Sequence, residues 1–267
     1  MKKIMIIGKR GFIGNSLYFY LKKFYNVKKV SFKESLKFKE KLNKFNFIIN
    51  TSINKNYITK KYNANFDNDL RISKFIKNNK TIYCFISTRK IYPNKPNIKE
   101  GAKFSAKCNY SKNKLITEKQ LNRYFKNNLL VLRVSNIIGN KKSIKNIHET
   151  FIDIFEKNIN KGILYYNNNA FKDFLSIDKF CQIIKKIIEK KLVGIYNVSI
   201  GQKVYLKDLI SWLIKYNTKK FKVKKNIYKN ESFYLNNSKL MSKIRIKNSL
   251  NDLKKYCYKY SKNNFNY

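Results

Sequence analysis

A tyrosine and a lysine four residues apart are the strongest candidates for catalytic chemistry in this sequence. Tyr110 and Lys114 open a segment whose apolar residues recur at helical spacing, so both side chains share one face of a predicted helix. A nearby ammonium stabilises a phenolate, as a tyrosine acid/base at an alcohol or carbonyl requires. In a chain with 20 tyrosines and 60 lysines and arginines, the pair alone would occur by chance. Its weight comes from the motifs that precede it.

The first of these motifs is a glycine-rich turn. Three of the eight glycines, Gly8, Gly11 and Gly14, fall between an apolar run at 4–7 and apolar residues at helical spacing. The pattern predicts strand, tight turn and helix, with the helix N–H groups available to a pyrophosphate. A strand–helix turn without a ligand can have the same pattern, but the spacing and position favour nucleotide binding.

Strands and helices alternate after this turn. Further strands are predicted at 27–32, 47–49 and 81–86, with a helical stretch at 65–76. This order predicts an α/β fold with a doubly wound parallel sheet, whose ligands bind at the carboxyl ends of strands. Two polar pairs follow such ends: Thr51 and Ser52, suited to the edge of a cofactor, and Ser87 and Thr88.

The end of the second strand bears on the choice of cofactor. A carboxylate about 20 residues past the glycines usually takes the adenosine ribose 2′-OH. Here that place holds Ser31, Phe32 and Lys33, while Arg10 lies in the glycine turn. A missing carboxylate beside cations suits a 2′-phosphate, so the sequence predicts NAD(P) with a modest preference for NADP(H). The alternative is that Arg10 and Lys33 are ordinary surface cations.

The formal net charge of +45 would suit a nucleic acid or an anionic membrane. However, the cations are scattered, and the chain is equally rich in Asn, Ile, Phe and Tyr, whose codons, like those of Lys, are rich in A and T. We therefore attribute the charge to genome composition and expect no specific nucleic-acid partner.

The cysteine, histidine and hydropathy patterns argue against a metalloprotein and against a membrane-spanning protein. The four cysteines lack CxxC spacing and His148 is the single histidine, so no metal site is expected. No apolar run approaches the ~18 residues of a membrane span. We expect a reduced, cytoplasmic protein without a membrane span.

Five motifs in this order resemble the extended short-chain dehydrogenase/reductase family, and within it the nucleotide-sugar epimerases, dehydratases and reductases. They are GKRGFIG (8–14), ISTRKIYP (86–93), YSKNK (110–114), LRVSNIIG (132–139) and FKDFLSID (171–178). The resemblance implies NAD(P)-dependent hydride transfer at a carbon, typically C4, of a nucleoside-diphosphate sugar. Reduction of a 4-keto sugar and C4 epimerisation use the same groups. A homodimer is also compatible with it.

The resemblance implies two parts to the chain and a role for each motif. A Rossmann-type domain covers 1–140 with a returning segment near 172–198, and a small substrate-binding lobe covers 141–267. The implied catalytic residues are Thr88, Tyr110 and Lys114. The implied substrate-binding residues are Thr88, Asn136 and Lys172, the last standing where some members have an arginine. With the residues argued above, the cofactor-binding set is Gly8, Arg10, Gly11, Phe12, Ile13, Gly14, Ser31, Lys33, Thr51, Ser52, Tyr110 and Lys114.

Two departures from the family narrow the reaction. The 4,6-dehydratases have Asp-Glu after the catalytic Thr, whereas this chain has Arg89 and Lys90, which argues against dehydration by that mechanism. The segment after Gly139 is short, which favours the compact reductase-like or epimerase-like members. His148 falls where the reductase-epimerases that make GDP-fucose have a histidine, but an ordinary polar residue near a helix start is the interpretation we favour.

Two rivals would keep the fold without the chemistry. A dehydrogenase-fold protein that binds nucleic acid is favoured by the charge, and a cofactor sensor would need only the glycines. Neither would need Thr88, Tyr110 and Lys114 together, so the sequence favours an enzyme.

Overall fold

Six parallel strands form the central sheet in a computed structural model of the chain, which describes residues 1–78, 80–125, 127–139, 150–218, 220–224 and 232–265. Across the sheet they are β10 (Gly194–Val198), β5 (Leu129–Val134), β4 (Ile82–Thr88), β3 (Phe47–Asn50), β1 (Lys3–Ile7) and β2 (Asn26–Val30). All neighbouring pairs run parallel. The chain leaves β1 in one direction to reach β2 and in the other to reach β3, and ligands of open α/β sheets bind at such a switch point. The predicted doubly wound parallel sheet is confirmed.

Helices cover both faces of the sheet. Successive residues of a strand point to opposite sides, and here the residues on both sides are apolar and must be buried. Ile4 and Ile6 of β1 lie in one core cluster, and Met5 and Ile7 lie in another. The first face is covered by α1 (Phe12–Leu21), α7 (Ile177–Lys190) and α9 (Ser238–Ile244). The second is covered by α2 (Phe32–Lys37), α4 (Asn68–Ser73) and α5 (Asn109–Tyr124), and α3 (Lys55–Thr59) packs on α5.

A third core cluster lies in the C-terminal part of the chain, among α6 (Phe151–Asn160), α8 (Leu206–Leu213) and α10 (Leu250–Phe265). Short strands pair around it: β6 (Asn136–Ile138) with β9 (Phe174–Ser176), β8 (Phe171–Lys172) with β11 (Val204–Tyr205), and β7 (Ile163–Tyr165) with β12 (Lys222–Lys224). None of the described helices is long and apolar enough to cross a membrane.

The carboxyl group of Asp173, between β8 and β9, joins distant segments of the chain. It is fully buried and accepts hydrogen bonds from the backbone N–H groups of Ile200 (2.9 Å) and Leu235 (3.0 Å). Burial raises its pKa to about 7, although these hydrogen bonds act in the opposite direction. The residue therefore fixes the segment that follows β10 and the segment that leads to α9.

Two elements differ from their predicted bounds because polar side chains cap helices. The helix predicted at 65–76 is divided into a 3₁₀ turn, Ala64–Phe66, and α4, since the Asp67 carboxylate accepts the N–H of Leu70 (3.0 Å) at the start of α4. The strand predicted at 27–32 ends at Val30, because Ser31 is the N-cap of α2. His148 lies outside the described residues.

Candidate active site

The glycine turn packs directly on the residue that follows β3. Gly8 has a φ of +123°, and a Cβ atom there would lie 2.2 Å from Thr51 Oγ1. A Cβ atom at Gly14 would lie 2.5 Å from the carbonyl oxygen of Gly8. Thr51 is held in place because its hydroxyl donates to the carbonyl of Ile7 (2.8 Å). Only glycine fits Gly8 and Gly14 without displacing the backbone.

The first turn of α1 is open to an anion. Gly11 is its N-cap and provides no side-chain cap, and the first turn contains no acidic residue. The N–H groups of a first helical turn have no partner within the helix, and the helix dipole favours negative charge there. Arg10 beside it is exposed. With the space left by Gly8 and Gly14, this cradle fits the pyrophosphate of a dinucleotide.

Phe12 and Ile13 pack the glycine turn against the core. Both are partly buried against the core cluster of α1 and α7. The Phe12 ring fills the space beside Gly139, where a Cβ atom would lie 2.3 Å from Phe12 Cζ. Thus the LRVSNIIG motif contacts the start of α1 across the end of the sheet.

The structure at the end of β2 differs from the sequence-based expectation that no carboxylate lies there. The statement that no carboxylate is available there is wrong, since the carboxylate of Glu34 folds back onto the N–H of Ser31 (2.6 Å) and the Ser31 hydroxyl accepts the N–H of Glu34. Lys9 Nζ lies 3.3 Å from the same carboxylate. The hydrogen bonds from Ser31, and then Lys9, lower the pKa of Glu34. Lys33 is exposed.

Ser52 continues a polar row at the switch point. Its hydroxyl and N–H both donate to the side-chain oxygen of Asn50, the last residue of β3 (2.7 and 2.9 Å), and the hydroxyl accepts from Asn68 (3.1 Å). Ser52 thereby joins the end of β3 to the start of α4, beside the glycine turn that contacts Thr51.

The end of β4 and the start of α5 adjoin, which brings the Thr88 and Tyr110 segments together. Thr88 is buried and its hydroxyl oxygen accepts the N–H of Lys90 (3.2 Å), which begins the 3₁₀ turn Arg89–Ile91. The ammonium of Lys90 lies 6.0 Å from the ring centre of Tyr110, a half-buried residue in the first turn of α5. A cation is therefore present near the phenol from the side of β4.

Lys114 reaches from α5 into the sheet. Its ammonium donates to the carbonyl of Ile86 in β4 (2.8 Å) and lies 3.9 Å from a carboxylate oxygen of Asp69 in α4. Both side chains are nearly inaccessible, with 7% and 6% of their surfaces exposed. The lysine predicted to work with Tyr110 thus lies against β4 beside a buried acid.

A buried ion pair fixes β4, β5 and α5 relative to one another. Arg133 donates through two nitrogens to Glu118 (2.7 and 3.1 Å), and Glu118 also contacts the Ser87 hydroxyl. Arg133 further donates to the phenol oxygen of Tyr92 (2.6 Å). Burial raises the pKa of Tyr92 to about 12, so this phenol stays neutral.

A cavity of about 190 Å³ lies beside the start of α5. Its lining includes Arg89, Lys90, Lys107, Cys108 and Ser111, so cations outnumber acids in it. Its position next to Tyr110 and its charge suit an anionic ligand.

The predicted substrate residues Asn136 and Lys172 lie near each other, in β6 and β8. The Asn136 side chain donates to the carbonyl of Asp173 (3.0 Å), the residue after Lys172. Lys172 pairs with Val204 in the small antiparallel sheet and is half-buried. Within the described ranges, no group of three His, Cys, Asp or Glu side chains could hold a metal ion.

Three residues important to this geometry were missed in the sequence. Glu34 could have been found, because Ser31 and Glu34 have the Ser-x-x-Glu spacing of a capping box. Glu118 follows Lys114 by four residues and so shares its helical face. Asp69 had no such signal, since its partners come from β3, β4 and α5.

Solved structures of different enzymes share the fold over almost the whole chain. UDP-N-acetylglucosamine 4-epimerase from Methanobrevibacter ruminantium, in complex with UDP-N-acetylmuramic acid, has a TM-score of 0.79 at 17% identity, covering 98% of this chain and 97% of its own. The dTDP-glucose 4,6-dehydratase from Bacillus anthracis, in complex with NAD, has a TM-score of 0.77 at 16% identity (99% and 97% covered). A dTDP-4-dehydrorhamnose reductase from Clostridium acetobutylicum has 0.72 at 16% (97% and 98%). At these identities the likeness establishes the fold.

A search of curated protein sequences found no match. A family model, described as the NAD dependent epimerase/dehydratase family, matches residues 4–199, which include the glycine turn, the β4 end and the start of α5. This match spans most of the chain, and it agrees with the family resemblance inferred from the five motifs. The chain belongs to the NAD dependent epimerase/dehydratase family.

Proposed function

We propose that the protein is a nicotinamide-dependent oxidoreductase or epimerase that acts on a nucleoside-diphosphate sugar, either reducing a 4-keto sugar or inverting C4. The observation that carries the proposal is the adjacency of the Thr88 and Tyr110 segments at the carboxyl edge of the sheet, in a member of this family. Lys114 approaches β4 from the same helix as Tyr110. The glycine cradle at the switch point supports dinucleotide binding at the same edge.

Each of the three residues has a distinct role in this proposal. When bound, the nicotinamide cofactor exchanges a hydride with the sugar carbon. The phenol group of Tyr110 gives a proton to the sugar oxygen or takes one from it. The hydroxyl of Thr88 orients the sugar oxygen through a hydrogen bond. Lys114 contributes positive charge and a contact to the cofactor ribose. Asn136 and Lys172 would contact the substrate from the C-terminal part of the chain.

Dehydration is disfavoured because the positions after Thr88 carry no acid. Arg89 is buried, donates to Asn94 and lies 3.7 Å over the ring of Phe233, so it packs the turn. Lys90 is exposed and has an amino group in place of a carboxyl group. Neither side chain can supply the carboxyl proton and carboxylate base that the 4,6-dehydratases have after this Thr.

For the cofactor we propose NAD(H) in place of the NADP(H) expected from the sequence. The Glu34 carboxylate at the end of β2 could accept the adenosine ribose 2′-OH, because a carboxylate has about four acceptor positions and the two hydrogen bonds from Lys9 and the Ser31 N–H leave room for another. The same charge would repel a 2′-phosphate. The NAD in the dehydratase complex agrees with this choice.

A substrate panel tests the proposal. The protein is incubated with NADH or NAD⁺ and with UDP- and dTDP-linked hexoses and 4-keto hexoses, and products are resolved by chromatography and NMR. We expect NADH consumption with a 4-keto sugar, or interconversion of C4 epimers without net NADH consumption. Cofactor binding without turnover of any panel member, together with tight nucleic-acid binding, would favour the non-catalytic alternative.

A further inference from the structure

We propose that Asp69 is a positioning residue of this site: its carboxylate holds the Lys114 ammonium against β4. The inference rests on the proposed function, because it gives Asp69 a part in the cofactor contact assigned to Lys114. Asp69 lies in the first turn of α4 and touches neither Thr88 nor Tyr110 in any contact described above.

The two oxygens of Asp69 have different partners. One accepts hydrogen bonds from the side-chain amide of Asn50 (2.8 Å) and the hydroxyl of Tyr83 (2.7 Å). The other faces the ammonium of Lys114 at 3.9 Å. Two neutral donors therefore fix the carboxyl plane, and the second oxygen remains directed at the lysine.

The environment of Lys114 explains why a counter-charge is needed. Its ammonium donates to the carbonyl of Ile86 (2.8 Å) and lies 4.4 Å from the ring centre of Phe85, in a nearly inaccessible site. An unpaired ammonium in such a site is costly, and it would move toward water or lose its proton. In the part of the chain that the structure describes, Asp69 is the acid that pairs with Lys114.

The charge on Asp69 depends on pH in a useful range. Burial raises its pKa to about 6, while Lys114 lowers it and Asp67 raises it. Asp69 in turn raises the pKa of three nearby groups: Tyr83, to which it is hydrogen-bonded, Cys84 of the same strand, and Tyr57 of α3. Asp69 is therefore ionised at neutral pH and loses its charge as the pH falls through about 6.

Substitution by asparagine separates a charge role from a packing role. Asparagine keeps an acceptor for Asn50 and Tyr83 but carries no charge toward Lys114. If Asp69 only packed α4 against β4, Asp69→Asn would bind the cofactor like the unchanged protein. If it holds Lys114, the variant should lose affinity.

The experiment is a double-mutant cycle read by NADH fluorescence at neutral pH, with the full chain. The proteins are the unchanged chain, Asp69→Asn, Lys114→Met and the double variant. We expect Asp69→Asn to weaken NADH binding by about fivefold, the value of a good charged contact. In the Lys114→Met background the same change should have no further effect, because Asp69 acts through Lys114. The double variant also removes both buried charges, so it should fold if either single variant does not.

A matched control and a pH series complete the test. Asp67→Asn removes the neighbouring buried carboxylate, which caps α4 and contacts Thr117, and it should leave NADH affinity nearly unchanged. Below a pH of about 6, the unchanged protein should lose affinity, whereas Asp69→Asn should not show that loss.

Two results would overturn the inference about Asp69 alone, and a third would overturn the proposed function as well. NADH binding by Asp69→Asn equal to the unchanged protein, or an equal loss with and without Lys114, would leave Asp69 a packing residue while the proposed function stands. No NADH or NADPH binding by the unchanged protein would remove the proposed function, and this inference with it.

Discussion

At the residue scale, the choice of cofactor depends on one carboxylate at the end of β2. Glu34→Gln keeps the size of the side chain but removes its negative charge. That charge would strengthen the hydrogen bond from the ribose 2′-OH and would repel a 2′-phosphate. We expect the unchanged protein to prefer NADH over NADPH, and Glu34→Gln to reduce that preference by roughly tenfold or less, since the contact is exposed to solvent. Fluorescence titration of both cofactors measures it.

The control for this prediction is Glu40→Gln, which removes an acid from the 3₁₀ helix Lys39–Lys44. It should leave the ratio of the two affinities unchanged. A preference for NADPH that disappears in Arg10→Ala would instead support the sequence-based prediction that cations near the glycine turn bind a 2′-phosphate.

Residues within motifs could be predicted from the sequence, whereas those defined by orientation could not. Gly8, Gly14 and Thr51 lie together as expected for a turn at a strand end. Glu34 has the capping-box spacing to Ser31 but was missed, because a strand predicted at 27–32 leaves no helix start at Ser31. Asp69 was missed because nothing in the local sequence indicates that β4 and α5 bring Tyr83 and Lys114 to it.

At the element scale, the strand–turn–helix unit of β1 and α1 depends on Gly14. Gly→Ala within a helix normally gains about 1 kcal/mol from helix propensity. Here the added Cβ would lie 2.5 Å from the Gly8 carbonyl oxygen and 2.5 Å from Thr51 Oγ1. Overpacking of this kind costs about 1–3 kcal/mol, so we expect Gly14→Ala to lower the free energy of unfolding and to weaken NADH binding.

Denaturant unfolding and NADH titration check this, with Gly101→Ala as the control. A Cβ atom at Gly101 would meet no atom within 4 Å, so that variant should behave like the unchanged protein. A Gly14→Ala variant as stable as the unchanged chain, with full NADH affinity, would show that the turn does not bind the pyrophosphate as proposed.

The bounds of the elements were less predictable than their order. The alternation of strands and helices follows from hydrophobic periodicity, and it was sufficient to predict the parallel sheet. The early start of α2 and the late start of α4 arise from side-chain caps at Ser31 and Asp67, which compete with continued strand or helix. Nothing in the sequence alone indicates that the short strand β6 pairs with β9.

At the scale of the whole molecule, the charge of +45 is the feature that the enzyme proposal does not use. Part of it protects sheet edges: Lys28 and Lys29 lie on the edge strand β2, where they contact the rings of Phe38 and Tyr18. Lys222 and Lys224 are exposed on β12. Lysine on an edge strand opposes edge-to-edge association.

We therefore expect binding to DNA and RNA to be weak, unselective and steeply dependent on salt, because scattered cations neutralise phosphates without reading bases. Fluorescence anisotropy with single- and double-stranded oligonucleotides across a salt series measures it. Sequence-selective binding that persists at physiological salt would contradict this and would favour a nucleic-acid function.

In the proposed reaction, Tyr110 moves the proton while a hydride passes between a nicotinamide and a sugar carbon. This role is tested by the rate of deuterium transfer from C4-deuterated NADH to a 4-keto nucleotide sugar, or of C4 epimer formation, in the unchanged protein and in Tyr110→Phe. The control is Tyr124→Phe, at the exposed end of the same helix. We predict that Tyr110→Phe turns over at least about 10²-fold more slowly with NADH affinity nearly intact, and that Tyr124→Phe keeps full activity. Undiminished turnover by Tyr110→Phe on the same substrate would show that Tyr110 does not move the proton.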